Sequence, residues 1–330
     1  MLRRPVRAAA RPALIALAAA GLAALTLIAM PARAVTPAAR LVAPLGEEAR
    51  GNDYGRDWQH SVQVVANLRA RPPKVPVVVL LGGSSARECT VHDDDWTSQI
   101  ARRSGYDVLT YNLASKHRSY AQDLAFVRLL PRVPTIVYIG INLGRFCITP
   151  RAATIHLPHP RKLTYYPQHV YSRNHIQSAS TKRYYVDYWL QARSPEFSSN
   201  YGGELAMLEQ IIRTCKRRHL RVALLDLPRD LPVIGASFNG PVSRYQAGCA
   251  SLAKRWDIPW LHFVAAAHFV DRDFFDIFHL VEPGREKFQS ILSDKTIRLL
   301  KQYRMPKPTP TPTPTPTPSP SPSPSALASH

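Results

Sequence analysis

The sequence is short of the residues on which several common chemistries depend. Its four cysteines, Cys89, Cys147, Cys215 and Cys249, contain no C-x-x-C pair, which argues against a zinc site. No lysine follows Gly82-Gly83-Ser84-Ser85 in the manner of a phosphate-binding Walker loop, and the third glycine of a dinucleotide fingerprint is missing too. The G-x-S-x-G elbow of the α/β-hydrolases is also broken, because Ala86 stands at its last glycine. Neither metal nor cofactor is therefore expected. Acids are scarce: 23 Asp+Glu face 43 Lys+Arg, a formal net charge of +20. That excess favours acidic partners such as an anionic wall polymer or a membrane surface. No recognition motif accompanies it, so nucleic acid is not expected.

Both ends differ in composition from the body. Residues 1–34 hold Arg3, Arg4, Arg7 and Arg11, then the apolar run ALIALAAAGLAALTLIAM, then Ala32-Arg33-Ala34. Basic flank, apolar centre and A-x-A site are the pattern of an export signal. The run is also about as long as the shortest membrane spans, so a retained anchor is the alternative. Either way the body is expected outside the cytoplasmic membrane, secreted, membrane-anchored or associated with the cell wall. Cleavage would remove five arginines and no acid, lowering +20 to +15. Residues 306–330 form a Pro/Thr/Ser-rich tail, expected to be disordered, whose stretch 306–325 alternates Pro chiefly with Thr or Ser and cannot build a packed core. Fully extended, residues 306–325 would reach on the order of 60 Å. In an exported chain the cysteines permit three two-disulfide pairings, of which Cys89–Cys147 with Cys215–Cys249 is the expectation.

Between the ends, helical and strand patterns alternate over a domain expected at residues 45–305. Apolar runs at 75–82, 106–113, 135–142, 221–228 and 258–263 predict strands. Amphipathic stretches at 57–70, 93–105, 119–130, 204–220, 241–256 and 283–303 predict helices. Continuous rather than alternating apolar strands imply burial on both faces. The expected fold is α/β: a three-layer α/β/α sandwich with a central, mostly parallel sheet of about five strands. Residues 149–200, rich in Tyr, His, Arg and Ser, interrupt the alternation and read as an inserted cap or binding loop.

Ligands of such sheets bind outside the carboxyl ends of the strands, which directs attention to polar residues there. Ser84 ends the first strand just before a helix, with Ser85 as the alternative hydroxyl. The pair Gly82-Gly83 supplies freedom for a sharp turn. Asp276 and His279, spaced i, i+3, can supply a base and the carboxylate that orients it, which a serine nucleophile needs. Asn142 follows the third strand, where its amide can donate to a developing oxyanion or cap a helix. The loop Asn112-Leu-Ala-Ser-Lys-His117 follows the second strand and offers backbone N–H groups. His92, His156, His159, His169, His175, His262 and His268 show no partner pattern and read as surface or packing residues.

Serine, second-strand loop, asparagine and D-x-x-H, in that order over residues 75–288, resemble the SGNH (GDSL-like) hydrolase superfamily. The resemblance implies a flavodoxin-like arrangement and a Ser84–His279–Asp276 triad. It also implies an oxyanion hole from Ser84, His117 and Asn142. His117 stands where the family has glycine, and Gly83 where it usually has aspartate. These departures are similar to those of cell-envelope branches that include polysaccharide O-acetyl esterases and transferases. The implied activity is hydrolysis of acyl, above all O-acetyl, esters of an envelope glycan or a small ester. An O-acyltransferase and a non-catalytic envelope-binding protein are the alternatives.

Overall fold

Unbroken aliphatic runs form the strands, and their alternate residues supply two cores. The computed structural model describes residues 53–149, 153–162 and 175–307. The chain divides into two units, 1–51 and 52–330, and every described residue belongs to the second. The N-terminal apolar run with its A-x-A site, His169 in the inserted segment, and the Pro-rich stretch from residue 308 lie outside the described residues. Among the described residues no helix is long and apolar enough to cross a membrane.

The order is α1 (Asp53–Ala70), β1 (Val77–Leu81), α2 (Ser84–Arg87), α3 (Asp93–Ser104), β2 (Leu109–Asn112), α4 (Tyr120–Leu129) and β3 (Thr135–Ile141). A 3₁₀ turn at Leu143–Cys147 follows, then α5 (Ala179–Tyr188), a π-helical turn at Trp189–Arg193, α6 (Ser194–Arg217) and β4 (Arg221–Asp226). The described chain finishes with α7 (Leu231–Ile234), α8 (Asn239–Trp256), β5 (Trp260–Leu261) and α9 (Glu282–Gln302). The five strands are all parallel, in the order β2-β1-β3-β4-β5. Val77, Val79 and Leu81 face a core built with α1, α4, α6 and α8. Val78 and Leu80 face a second core built with α3 and α9. The result is the expected three-layer sandwich, in the doubly wound order of flavodoxin-like sheets. Its topological switch point lies between β1 and β3, the strands that precede Ser84 and Asn142.

Local chemistry sets the element ends. Helix α3 starts at His92, whose Nδ1 accepts from Asp94 N at 3.2 Å, and carries Asp93, Asp94 and Asp95 in its first turn. It stops at Gly105, whose φ of 66° is the left-handed conformation glycine adopts most easily.

Three expectations need correction. First, α6 starts ten residues before its expected start at 204, and residues 179–193, within the segment read as an inserted cap or binding loop, are helical and run directly into it. Val186, Trp189 and Phe197 from that segment, and Tyr201 just beyond it, are core residues. The π-helical turn between α5 and α6 interrupts the 3.6-residue spacing, which hides the period in the sequence. Second, all four cysteines are free, buried thiols. Cys89 and Cys147 belong to cores on opposite faces of the sheet, so they do not face each other. Cys89 Sγ donates to Ser85 O at 3.0 Å, and burial pushes the Cys147 and Cys215 thiols up to about 11 and 12. Third, Gly83 has φ −82° and ψ −165°, and a Cβ there would make only ordinary contact with the Arg145 side chain at 3.9 Å, so the turn makes no demand on it. The demand falls on Gly82, where a Cβ would come within 2.5 Å of the Ala86 Cβ.

Candidate active site

The carboxyl ends of β1 and β3 bring together groups far apart in the chain. The close contact that Gly82 permits lets α2 start immediately after β1. A Cβ at Gly140 would also meet Ala86, at 2.9 Å. Fully buried Ala86 thus packs between two glycines, which explains a small residue there. Ser84 is the first residue of α2 and half-buried, so its backbone N–H has no acceptor within the helix.

Ser84 Oγ lies 2.8 Å from His279 Nε2. On the other side of the ring, His279 Nδ1 lies 2.7 Å from Asp276 Oδ2 and 2.9 Å from Oδ1. The backbone N–H groups of Phe278 and His279 donate to Asp276 Oδ1 at 2.8 and 2.9 Å. Burial alone would push the Asp276 carboxyl up. The His279 charge, their hydrogen bond and the two N–H groups outweigh it, and the pKa is lowered. Burial works against a charged His279 as well. The Asp276 carboxylate prevails with help from Glu88, so the imidazole pKa is raised above its ordinary value. The three groups form one hydrogen-bonded line from hydroxyl to carboxylate. Such a line can move a proton from Ser84 to His279 while Asp276 holds the ring.

Ser85 is differently placed. It is 2% exposed, and its Oγ accepts from Asn142 Nδ2 at 2.7 Å. Of the two adjacent hydroxyls, Ser84 contacts His279. Of the two roles expected for Asn142 from the sequence, the structure shows the cap: Oδ1 accepts from Arg145 N at 3.1 Å at the start of the 3₁₀ turn, while Nδ2 holds Ser85. That amide carries a second N–H beyond the one given to Ser85. Arg145 braces this arm, donating to Gly140 O at 2.8 Å and Asp123 Oδ2 at 2.5 Å, with its guanidinium 3.8 Å above the Tyr120 ring. His117 is exposed after β2, with φ 58°, a left-handed conformation in which glycine would be unstrained. Partial desolvation by the protein around this otherwise exposed ring, and then the neighbouring charges of Lys116, Arg193 and His279, lower its pKa.

Beneath α2 lies a buried charged network that the sequence analysis did not single out. Arg87 donates to Asp57 Oδ2 at 2.7 Å and to Glu88 Oε1 at 2.8 Å. Arg285 of α9 donates to Glu88 Oε2 at 3.1 Å and to Thr90 O at 2.8 Å. Its members span residues 57 to 285, so no local spacing announces it. A second miss is His262, expected to lack a partner. Its Nδ1 lies 2.6 Å from Asp226 Oδ2 at the end of β4, 36 residues earlier.

Among the described residues no group of three or more His, Cys, Asp or Glu side chains is arranged to hold a metal ion. A cavity of about 640 Å³ is lined by Lys216, His219, Arg221, Asp257 and Tyr303 at the amino end of β4, and none of the candidate residues lines it.

No protein-family model matches the sequence, and no curated protein matches it. Solved structures do. A lipase/acylhydrolase from Enterococcus faecalis is 13% identical, with 71% of this chain and 99% of that one covered and a TM-score of 0.40. An acetyl xylan esterase is 12% identical, with 68% and 99% covered and a TM-score of 0.41. The esterase EstA from Pseudoalteromonas sp. is 8% identical, with 68% and 98% covered and a TM-score of 0.40. Likenesses this distant carry none of the functional argument, which rests on the site itself.

Proposed function

We propose that this chain is a serine esterase of the SGNH type that hydrolyses acyl esters, with O-acetyl groups on an envelope glycan or a small ester as its substrates. The observation that carries the reading is the continuous line from Ser84 Oγ through His279 to Asp276, with links of 2.8 and 2.7 Å. In the first step Ser84 Oγ bonds to the ester carbonyl carbon and its proton passes to His279 Nε2. Asp276 keeps Nδ1 protonated and stabilises the imidazolium. The N–H groups of Ser84 and His117 and the Asn142 amide receive the oxyanion. His279 then protonates the departing alcohol, leaving an acyl-Ser84. Water adds to that ester while His279 takes its proton, the carboxylic acid leaves, and Ser84 recovers its hydrogen. No step needs a metal or cofactor.

The basic charge and the export pattern of residues 1–34 support an acidic polymer or membrane surface as the setting, outside the cytoplasm. The test is the time course of p-nitrophenyl acetate cleavage with and without acceptor glycans. Water-dependent release that Ser84→Ala abolishes supports the esterase. Release that requires the acceptor, with acetate appearing on the glycan, would make the chain an O-acyltransferase. Glycan binding with no release in either case would leave a binding protein.

A further inference from the structure

The Asp276–His279 pair sits in a short loop with a closed neck. Phe274 pairs with Leu280 in an isolated antiparallel bridge, Phe275 N donates to His279 O at 2.8 Å, and Val281 N donates to Asp273 O at 2.9 Å. Below that neck lies Lys182 of α5, a fully buried ammonium that the mechanism above does not use. Its Nζ donates to Asp230 Oδ2 at 2.9 Å, Asp271 Oδ1 at 2.6 Å, Asp271 O at 3.0 Å and Phe274 O at 3.0 Å. These acceptors belong to two segments, the loop after β4 and the stretch that enters the neck. Two backbone bonds add to the same docking: Gln177 N donates to Phe275 O at 2.9 Å and Asp230 N to Ile277 O at 3.1 Å.

We propose that Lys182 is a positioning residue for His279: its ammonium locks α5, the loop after β4 and the neck of the Asp276–His279 loop into one unit that fixes where the imidazole meets Ser84. The proposal rests on reading Ser84, His279 and Asp276 as the reacting groups. A buried ammonium is expensive to desolvate, and well-packed apolar residues generally serve stability as well or better. What an apolar residue cannot do is dictate the relative position of three segments through directed donors. The surroundings fit a charged clamp. Burial pushes the Asp230 carboxyl up to about 6, a hydrogen bond with Asp271 adds to the rise, and Lys182 opposes it. Asp271 is half-exposed and held low, because Lys182 and the Asp230 hydrogen bond outweigh the effect of burial. A misplacement of the base by about 1 Å is enough to cost roughly 100-fold in rate.

The test compares the wild type with Lys182→Met and with Lys182→Met combined with Asp230→Asn, which removes the carboxylate left unpaired. Four quantities are measured: kcat and KM on p-nitrophenyl acetate, the thermal midpoint, and the downfield Nδ1–H proton resonance of His279. Lys182→Met is expected to lose about 100-fold in kcat with KM within twofold, and to weaken or broaden the resonance. The paired variant is expected to regain thermal midpoint but neither kcat nor resonance. It also carries the test should Lys182→Met alone not fold. Recovery of kcat along with the midpoint would reduce Lys182 to charge balance and overturn the proposal, as would wild-type kcat in either variant. If the wild type itself neither hydrolyses esters nor reacts at Ser84, the esterase reading fails. The resonance then decides the positioning role alone: altered in the variants it stands, unchanged it falls.

Discussion

Among the described residues, the Asp276–His279 and Asp226–His262 pairs both lie at the carboxyl ends of strands or just beyond them, and a serine hydroxyl meets the imidazole of the first. In the first, Asp276 and His279 are three residues apart, both half-buried, and His279 Nε2 meets Ser84 Oγ. In the second, Asp226 is fully buried at the end of β4 and His262 is half-exposed just after β5. Asp226 also accepts from Tyr245 Oη at 2.6 Å and Gln246 Nε2 at 3.1 Å, and Arg229 lies 3.4 Å away. The other face of the His262 ring stacks on Trp260 at 6.0 Å. Among the described residues no serine hydroxyl is hydrogen-bonded to His262. Both imidazoles have raised pKa values: for His262 the Asp226 hydrogen bond leads, whereas for His279 the carboxylate must first overcome burial. An Asp–His pair is therefore a common structural unit, and it becomes a candidate for catalysis when a hydroxyl occupies the far nitrogen. The second pair ties β4 and β5 to α8.

The sharpest way to break the comparison is to remove groups from each pair in turn. Ser84→Ala and His279→Ala are each expected to reduce kcat for p-nitrophenyl acetate by about 10⁶-fold. His262→Ala should leave it within about threefold. Equal losses from both histidines in initial-rate assays would erase the distinction. One step smaller, Asp276→Asn is expected to cost about 10⁴-fold by releasing the tautomer of His279. Next is Asn142→Ala, at roughly 10²–10³-fold in kcat, the range for one oxyanion donor.

The comparison extends to pH. A protonated His279 cannot accept the Ser84 proton, so kcat/KM should rise with pH through a midpoint above the ordinary imidazole value. Asp276→Asn should move that midpoint down, because the carboxylate is what favours the charged ring. His262 should appear in stability instead. Its raised pKa gives stability present in full below the unfolded imidazole value and lost as pH rises through the folded one. His262→Ala should flatten that slope in denaturant titrations while the rate profile keeps its shape. The smallest effect is expected at His117, whose φ of 58° strains a side chain that the mechanism does not use. His117→Gly should change stability by no more than about 1 kcal/mol and leave kcat intact, because only a backbone N–H is needed.

Sequence alone exposed the first pair and hid the second for one reason, separation along the chain. Asp276 and His279 fall within one turn's spacing, and Ser84 and Asn142 mark strand ends that apolar runs announce. Asp226 and His262 meet only because β4 and β5 are neighbours in the sheet, which no local pattern states. The same limit applies to the Arg87–Glu88–Asp57–Arg285 network. The sandwich itself was legible because burial on both faces writes itself as continuous aliphatic strands. The helices at 179–200 were not, because a π-helical turn interrupts their period and aromatic residues there serve as core. The Cys89–Cys147 expectation failed on topology: their positions after β1 and β3 gave no sign that the two thiols pack on opposite faces of the sheet.

The central claim is that the hydroxyl of residue 84, and not its neighbour, is the nucleophile that the 279 imidazole activates. Mass spectrometry of the full chain after fluorophosphonate treatment reads this directly. A single phosphonyl adduct on the peptide carrying Ser84, lost in Ser84→Ala and in His279→Ala and retained in His262→Ala, is the predicted result. An adduct on Ser85, or none on a folded chain, would contradict it.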